Sequence, residues 1–360
     1  MKLGKSIVEL AQEIERQHAV KVDYAADTRK LQIVPADAGV NLVVRNGQDT
    51  VLGINDLAHR QISERVGIPA KYYDRMLTSD PELLAYNVNR WFERSPERRM
   101  IRTLDGKARA FLSDRYQRID NSHVAETVLP VLSQVPGIEI VSAEVTERRL
   151  YIKAVTHAVR GTINSRRVGD FVEAGVMIAN SEVGLGAVTV SPFFNFLACL
   201  NGMVRNRDAM RQAHVGTKLT DDDAITAILA DDTRRALDRG VLLKVRDVVT
   251  AALNQEQFDR AIARMQETVT QEITGDPVKA IEVLADDFGI NEGERSSVLR
   301  HLITGGDLSR YGLMNAITRT AEDLPSYDRA TEFETLGGRL LDLPSSQWNR
   351  IAVGRTAVAA

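Results

Sequence analysis

The chain has 360 residues, a formal net charge of −3, 44% hydrophobic and 26% charged residues, an ordinary composition for a soluble globular protein with no general attraction to nucleic acid or anionic membranes. Any electrostatic site must therefore be local. The single cysteine, Cys199, excludes an internal disulfide framework and points to a reducing compartment, while the charged N-terminus and the lack of an apolar run near the roughly 20 residues of a membrane span point to a cytoplasmic protein.

In chain order, "SIVELAQEIERQH" carries apolar residues at Ile7, Val8, Leu10, Ala11 and Ile14, a helical stripe. "AVKVDYAA", "KLQIVPA" and "VNLVVRNGQDTVLG" read as short strands, with Asn46-Gly47 as a turn. "NDLAHRQISERVGIPAKYYDRML" reads as two short helices, Asn55 capping the first, Gly67 ending it and Pro69 opening the second. "RRMIRTLDGKARAFLS" is a hairpin around Asp105-Gly106. "NSHVAETVLPVLSQV" is a helix capped by Asn121, with Pro130 as a kink or break. A long hairpin turning near Glu147-Arg148, a loop "RGTINSRRVGD" and a returning strand "FVEAGVMIANSEVG" follow.

After Ser191-Pro192, read as a cap and a proline at the first helical position, helical periodicity takes over. "LTDDDAITAILADDTRRALDRG" opens with the capping-box-like pair Thr220 and Asp223, and five further helical segments end at "SYDRATEFETLGGRLLDL". These elements define an α+β protein. Its N-terminal part combines antiparallel sheet, hairpins and helices, and its C-terminal part is mainly helical. The expected division is an N-terminal helix with short strands over 1–54, a mixed core over 55–219 and a helical domain over 220–360.

"VGLGAV" looks like a phosphate-binding glycine loop, but the third position of the dinucleotide fingerprint is Thr189, and "AVTVS" reads as strand. "NSEVGLGAVTV" is therefore strand, turn, strand, the glycines permitting a bulge or a positive backbone angle. "LGKS" at residues 3–6 lacks the earlier glycine and the preceding strand of a phosphate loop. The histidines have no partners at metal-ligand spacing, and no serine elbow or cysteine–histidine pair is present. No cofactor, metal site or catalytic residue is expected. "VGIP" between the two short helices resembles a helix-turn-helix connection, but the second helix is too short for duplex readout.

Positive charge is concentrated elsewhere. Between Arg90 and Arg118 lie nine Lys/Arg and four Asp/Glu, together with Trp91, Phe92, Phe111 and Tyr116. A strand pair of this kind can follow a phosphate backbone while aromatic rings stack on bases. Arg102, Lys107, Arg109, Arg115 and Arg118 are the expected phosphate contacts there, with Tyr116 for stacking and Arg166 and Arg167 adding a second cluster with Arg160. A third cluster comprises Arg205, Arg207, Arg211, His214 and Lys218. The alternative for all three is a set of solvated faces paired with neighbouring acids.

Three blocks, "RAFLSDRYQRIDN", "VGDFVEAGVMIANSEVGLGAVTVSPFFNFLACLNGM" and "YGLMNAITRTAED…SYDRATEFETLGGRLLDLPSSQW", resemble the phage- and plasmid-borne proteins of domain-of-unknown-function family 932 over most of residues 50–350. The resemblance implies a bacterial mobile-element protein with a core from about residue 55 to 220, and it brings no catalytic residues. The element order between residues 99 and 200 is also similar, at fold level only, to single-strand annealing recombinases that form rings or filaments. The expected function is thus non-covalent binding and annealing of single-stranded DNA by a homo-oligomer, with a host or phage protein as a further partner and no membrane association. One alternative is a protein-interaction or counter-defence factor of a mobile element. The other is a metal-dependent enzyme on nucleic acid using Asp221, Asp222 and Asp223.

Overall fold

The computed structural model describes residues 1–116, 118–165, 170–186, 188–198, 201–206, 209–212 and 231–354. Ser6 opens helix α1 (Ile7–Val20) with a capping box. Its hydroxyl accepts from Glu9 N, and the Glu9 carboxylate accepts from Ser6 N. Strands β1 (Asp23–Asp27) and β2 (Leu31–Pro35) are separated by a single 3-10 turn over residues 28–30. The hairpin β3 (Val40–Asn46) and β4 (Gln48–Ile54) turns at Gly47, whose φ of 79° suits a glycine. Helices α2 (Asp56–Val66), α3 (Ala70–Ser79) and α4 (Pro81–Arg94) follow, Asn55 and Gly67 capping α2 at either end as expected.

Hairpin β5 (Arg98–Leu104) and β6 (Lys107–Ser113) turns through Asp105 and Gly106 at φ 50° and 74°, the paired positive angles of a two-residue hairpin turn. It completes a mixed sheet in the order β1-β5-β6-β4-β3-β2, in which only β4 and β6 run parallel. The consecutive strands β1 and β2 thus form opposite edges of one sheet. The β2 edge is blocked by α4: Asn89 accepts from Ile33 N (2.7 Å) and donates to Ile33 O (2.8 Å), imitating a neighbouring strand. Phe92, Val88 and Leu84 of α4 bury against Ile33, Leu42, Ile101 and Phe111.

Helix α5 (Asn121–Ser133) leads into a second, antiparallel sheet of β7 (Ile138–Val145), β8 (Leu150–Ile163), β9 (Asp170–Asn180), β10 (Val188–Phe196) and β11 (Asn201–Val204), in the order β11-β10-β9-β8-β7, with β12 (Met210–Gln212) also pairing β10. Asp120, not Asn121, is the residue before the first turn of α5, and Pro130 lies inside that helix without ending it. The segment "VGLGAV" is strand, turn, strand, as its spacing implies. β9 ends at Asn180, Gly184 has φ 81°, and β10 resumes at Val188.

Ser191-Pro192 does not open a helix; both residues are inside β10. Pro192 is tolerated because it sits at the step between two short partners, β12 opposite residues 188–190 and β11 opposite 193–196. Its carbonyl accepts from Arg205 N there (3.0 Å), so its missing N–H falls on the same interrupted side.

From residue 243 to 353 every element is helical. Helix α6 (Asp231–Ala252) runs through Gly240, where the sequence suggests an end. Helices α7 (Gln255–Val269), α8 (Pro277–Phe288), α9 (Glu292–Gly305), α10 (Arg310–Thr320), α11 (Tyr327–Leu341) and α12 (Ser345–Val353) share a core around Leu284, Leu302, Ile317, Leu340, Trp348 and Ile351. Among the described residues no helix is long and apolar enough to cross a membrane.

Helix α11 lies so close to β11 that a Cβ on Gly338 would stand 2.0 Å from the Val204 carbonyl oxygen. Gly338→Ala is expected to destabilise the protein by about 3 kcal/mol, since a backbone carbonyl has to move. Gly240→Ala, at a helix position with open space around it, is expected to add about 0.5–1 kcal/mol. Urea unfolding midpoints of the two variants check both signs.

Candidate nucleic-acid interface

The basic hairpin turns Arg102 and Arg109 away from solvent, while Arg98 at its start is exposed. The β5–β6 register pairs Arg102 with Ala110 and Thr103 with Ala108, leaving Arg109 as the extra residue of a bulge. A bulge re-aims its side chain, and Arg109 joins Arg102 on the face that looks towards the second sheet. Both are buried. Arg102 donates to Asp23 Oδ1 (3.1 Å), Glu182 O (3.0 Å) and Asp120 Oδ1 (2.6 Å), and Arg109 donates to Glu182 Oε2. Lys21 Nζ completes the group, 2.8 Å from Asp120 and 3.4 Å from Glu182. Glu182 also accepts from Asn121 N (2.7 Å), satisfying an otherwise free donor at the start of α5.

Burial alone would raise the Asp120 carboxyl. The Arg102 guanidinium and the Lys21 ammonium outweigh that penalty and hold it well below the usual carboxylate range. Burial would raise Glu182 too, and Arg109 and Arg102 together bring it below its ordinary value. This is an ion cluster welding the turn after β9 to the β5–β6 hairpin.

Two expected phosphate contacts, Arg102 and Arg109, are therefore corrected to buried structural residues, ion-paired with carboxylates of their own chain. Tyr116 is corrected as well: its hydroxyl donates to Ser181 O (2.8 Å) and its ring packs beside Leu112 and Val183. Lys107 and Arg115 are exposed, and Arg118 is exposed with its guanidinium 3.6 Å from Asp23. Arg205 of the third cluster is held by Asp342 through two 3.0 Å contacts. Arg166, Arg167, Cys199, Arg207, His214, Lys218 and Asp221 to Asp223 lie outside the described residues. No group of three or more metal-ligating side chains occurs among the described residues.

The structure brings together a different cationic set. A cleft of about 380 Å³ runs beside β1, lined by Asp23, Tyr24, Ala25, Ala26, Asp27, Lys30, Val44, Arg45 and Arg98. Leu31 pairs with Val44, so Lys30 and Arg45 are the next residues on adjoining strands, placing like charges side by side. Like charges at neighbouring positions repel, and Arg45 also stands opposite Asp49 of β4 and donates to Gln32. Arg98 is exposed at the start of β5, opposite Asp27.

The two acids of the cleft are already engaged. Asp23 is held by Arg102, and the Arg29 guanidinium holds the Asp27 carboxyl down at about 2. The cleft also follows a free strand edge. Thr103 N bonds Val22 O (3.0 Å) and Thr28 N bonds Glu97 O (2.9 Å), so alternation turns the backbone groups of Asp23, Ala25 and Asp27 outward. Beside it ends α4. Thr28 donates to Phe92 O (3.0 Å) and accepts from Glu97 N (3.2 Å), pinning the last turn of α4, with Trp91 and Arg94, next to Lys30. Tyr86 and Trp91 are 67% and 45% exposed, high for aromatic side chains.

Nothing matches the chain among protein-family models, curated proteins or solved structures.

Lys30 and Arg45 leave little in the sequence to single them out, being far apart in the chain and joined only by strand register. Arg98 belongs to the basic run but is not one of the expected contacts.

Arg102→Met is expected to cost about 3–5 kcal/mol, the usual result of stranding the partners of a buried charge, whereas Lys107→Ala is expected to stay within about 0.5 kcal/mol. Asp120 and Glu182 have folded values below their unfolded ones. Their contribution is complete above an unfolded pKa of about 4 and fades as pH falls further. Without Arg102, burial dominates and the acid transition moves to higher pH. Urea midpoints between pH 7 and pH 3 for wild type and Arg102→Met test both statements.

Proposed function

We propose that the protein binds single-stranded nucleic acid non-covalently along the cleft beside β1. The observation that carries this reading is the side-by-side placement of Lys30 and Arg45, with Arg98 on the same cleft and the cleft's acids neutralised from behind. Three cations in one furrow suit consecutive phosphates, and the exposed rings of Trp91 and Tyr86 on the adjoining helix suit unpaired bases. Self-association into a ring or filament, which would join several such clefts along one strand, belongs to the same reading and accounts for annealing without covalent chemistry.

The two tryptophans differ: Trp348 is buried and Trp91 is exposed, so intrinsic fluorescence reports the proposed surface directly. Titration with an oligonucleotide is expected to quench Trp91 emission. Three phosphate contacts imply a log-affinity against log-salt slope of about −2. Lys30→Gln, Arg45→Gln and Arg98→Gln together are expected to lower affinity at least about tenfold and flatten that slope. Absence of binding at low salt overturns the reading. Capture of an acidic peptide with indifference to oligonucleotide also overturns it, and would make the free β1 edge the dock of an extended protein segment.

A further inference from the structure

Strand β8 is interrupted where it runs beside β9. Thr156 pairs with Ala174, and the next pair is Arg160 with Glu173, so His157, Ala158 and Val159 stand opposite no residue of β9. An insertion of this kind breaks the ladder locally and bends the strand. The Thr156 hydroxyl accepts from Ala158 N (3.2 Å), occupying one of the freed donors. On the other side the pairing to β7 continues. Ile138 pairs with Thr156, and His157 N donates to Gly137 O (3.0 Å).

The two ends of the interruption meet at one carboxylate. Glu173 Oε1 stands 2.7 Å from His157 Nδ1 and 2.8 Å from the Arg160 guanidinium, and Glu173 Oε2 accepts from Asn195 of β10 (3.2 Å). The Glu173 side chain is 2% exposed. The other ring nitrogen, His157 Nε2, lies 3.1 Å from Glu139 Oε2 on β7, the end strand of this sheet. One imidazole thus reaches from β7 to β9 at the place where β8 leaves its partner.

Both ring nitrogens face carboxylate oxygens, which only accept. A neutral imidazole has a single N–H, so its other nitrogen would turn a lone pair on a carboxylate; only the imidazolium donates to both. The charged groups around the ring are Glu173 from β9, Glu139 from β7 and Arg160 from β8 itself, and β10 adds the uncharged Asn195. Glu173 and then Glu139 raise the imidazole above its ordinary value, with burial and Arg160 opposing them. The bond to Glu139 is the longer of the two, and Glu139 is 60% exposed, so this is the bond that water replaces when the proton leaves.

We propose that His157 is a proton-operated clasp between β7 and β9, closed on both carboxylates as imidazolium and open on the Glu139 side as neutral imidazole, which leaves the end strand β7 without its side-chain tie to β9. The proposal is independent of any ligand in the β1 cleft.

Imidazole nitrogen chemical shifts of the full chain, with the His157 signal assigned by its loss in His157→Gln, follow the proton directly. His157 is expected to titrate above the unperturbed value of about 6.5, with both nitrogens protonated below its midpoint, and Glu139→Gln is expected to lower that midpoint. A wild-type midpoint at or below about 6.5 overturns the proposal, as does a midpoint that Glu139→Gln leaves unmoved. Because the folded value is the higher one, the stabilisation is complete below the unfolded value of about 6.5 and is lost as pH rises through the folded value. Hydrogen exchange, corrected for intrinsic rates, reads the opening. From about pH 6 to about pH 9, peptides covering residues 137–141 are expected to lose at least about twofold in protection relative to β9 in the wild type and to show no such change in His157→Gln. Equal pH dependence in the two proteins overturns the clasp.

Discussion

Glu182 is where the two sheets are tied together. Its carboxylate takes Arg109 from a bulged strand, Lys21 from the end of α1 and a backbone donor from the start of α5, while its carbonyl takes Arg102. The residue sits on the turn between β9 and β10, whose Gly184 has a positive φ and packs so closely that a Cβ there would stand 2.6 Å from Leu112. The glycines of "VGLGAV" therefore serve close approach. They let an acidic turn lie flat against a basic hairpin, and the charge that could otherwise hold a ligand is consumed in joining the sheets.

That consumption moves the available charge. With Arg102 occupying Asp23 from inside, the outer side of β1 is left facing Lys30, Arg45 and Arg98. The buried cluster and the cleft are in this sense two sides of one strand. One side is buried and ion-paired, the other cationic and open. The edge strands are treated unequally in the same way. Asn89 closes β2, whereas β1 keeps its edge and lines the cleft.

A second polar layer lies under α11. It resembles the Glu182 cluster in pairing a buried cation with a carboxylate, here Lys153 with Glu334. Arg102 makes three hydrogen bonds, and the Lys153 ammonium lies 2.5 Å from Glu334 and 4.7 Å over the Tyr327 ring.

Most local elements were legible from residue order alone: the α1 helical stripe, the Asp105-Gly106 hairpin, the caps of α2, the α+β class and the strand–turn–strand reading of the glycine segment. These depend on neighbours within a few residues, which backbone preferences and side-chain period encode directly. Ser191-Pro192 misled because a serine–proline pair carries the same local signal before a helix as at a gap between two short strands, and only the partners across the sheet distinguish the cases. The phosphate-contact assignment of Arg102 and Arg109 failed for a similar reason. Charge density along a segment says nothing of which carboxylates fold against it, and the bulge that turns Arg109 inward depends on how β6 registers with β5. Lys30, Arg45 and Arg98 meet only through strand pairing. The sequence by itself determined which residues are charged and which segments are strands or helices. Tertiary structure decided which charges neutralise one another and which remain facing solvent, because that depends on contacts between residues distant along the chain.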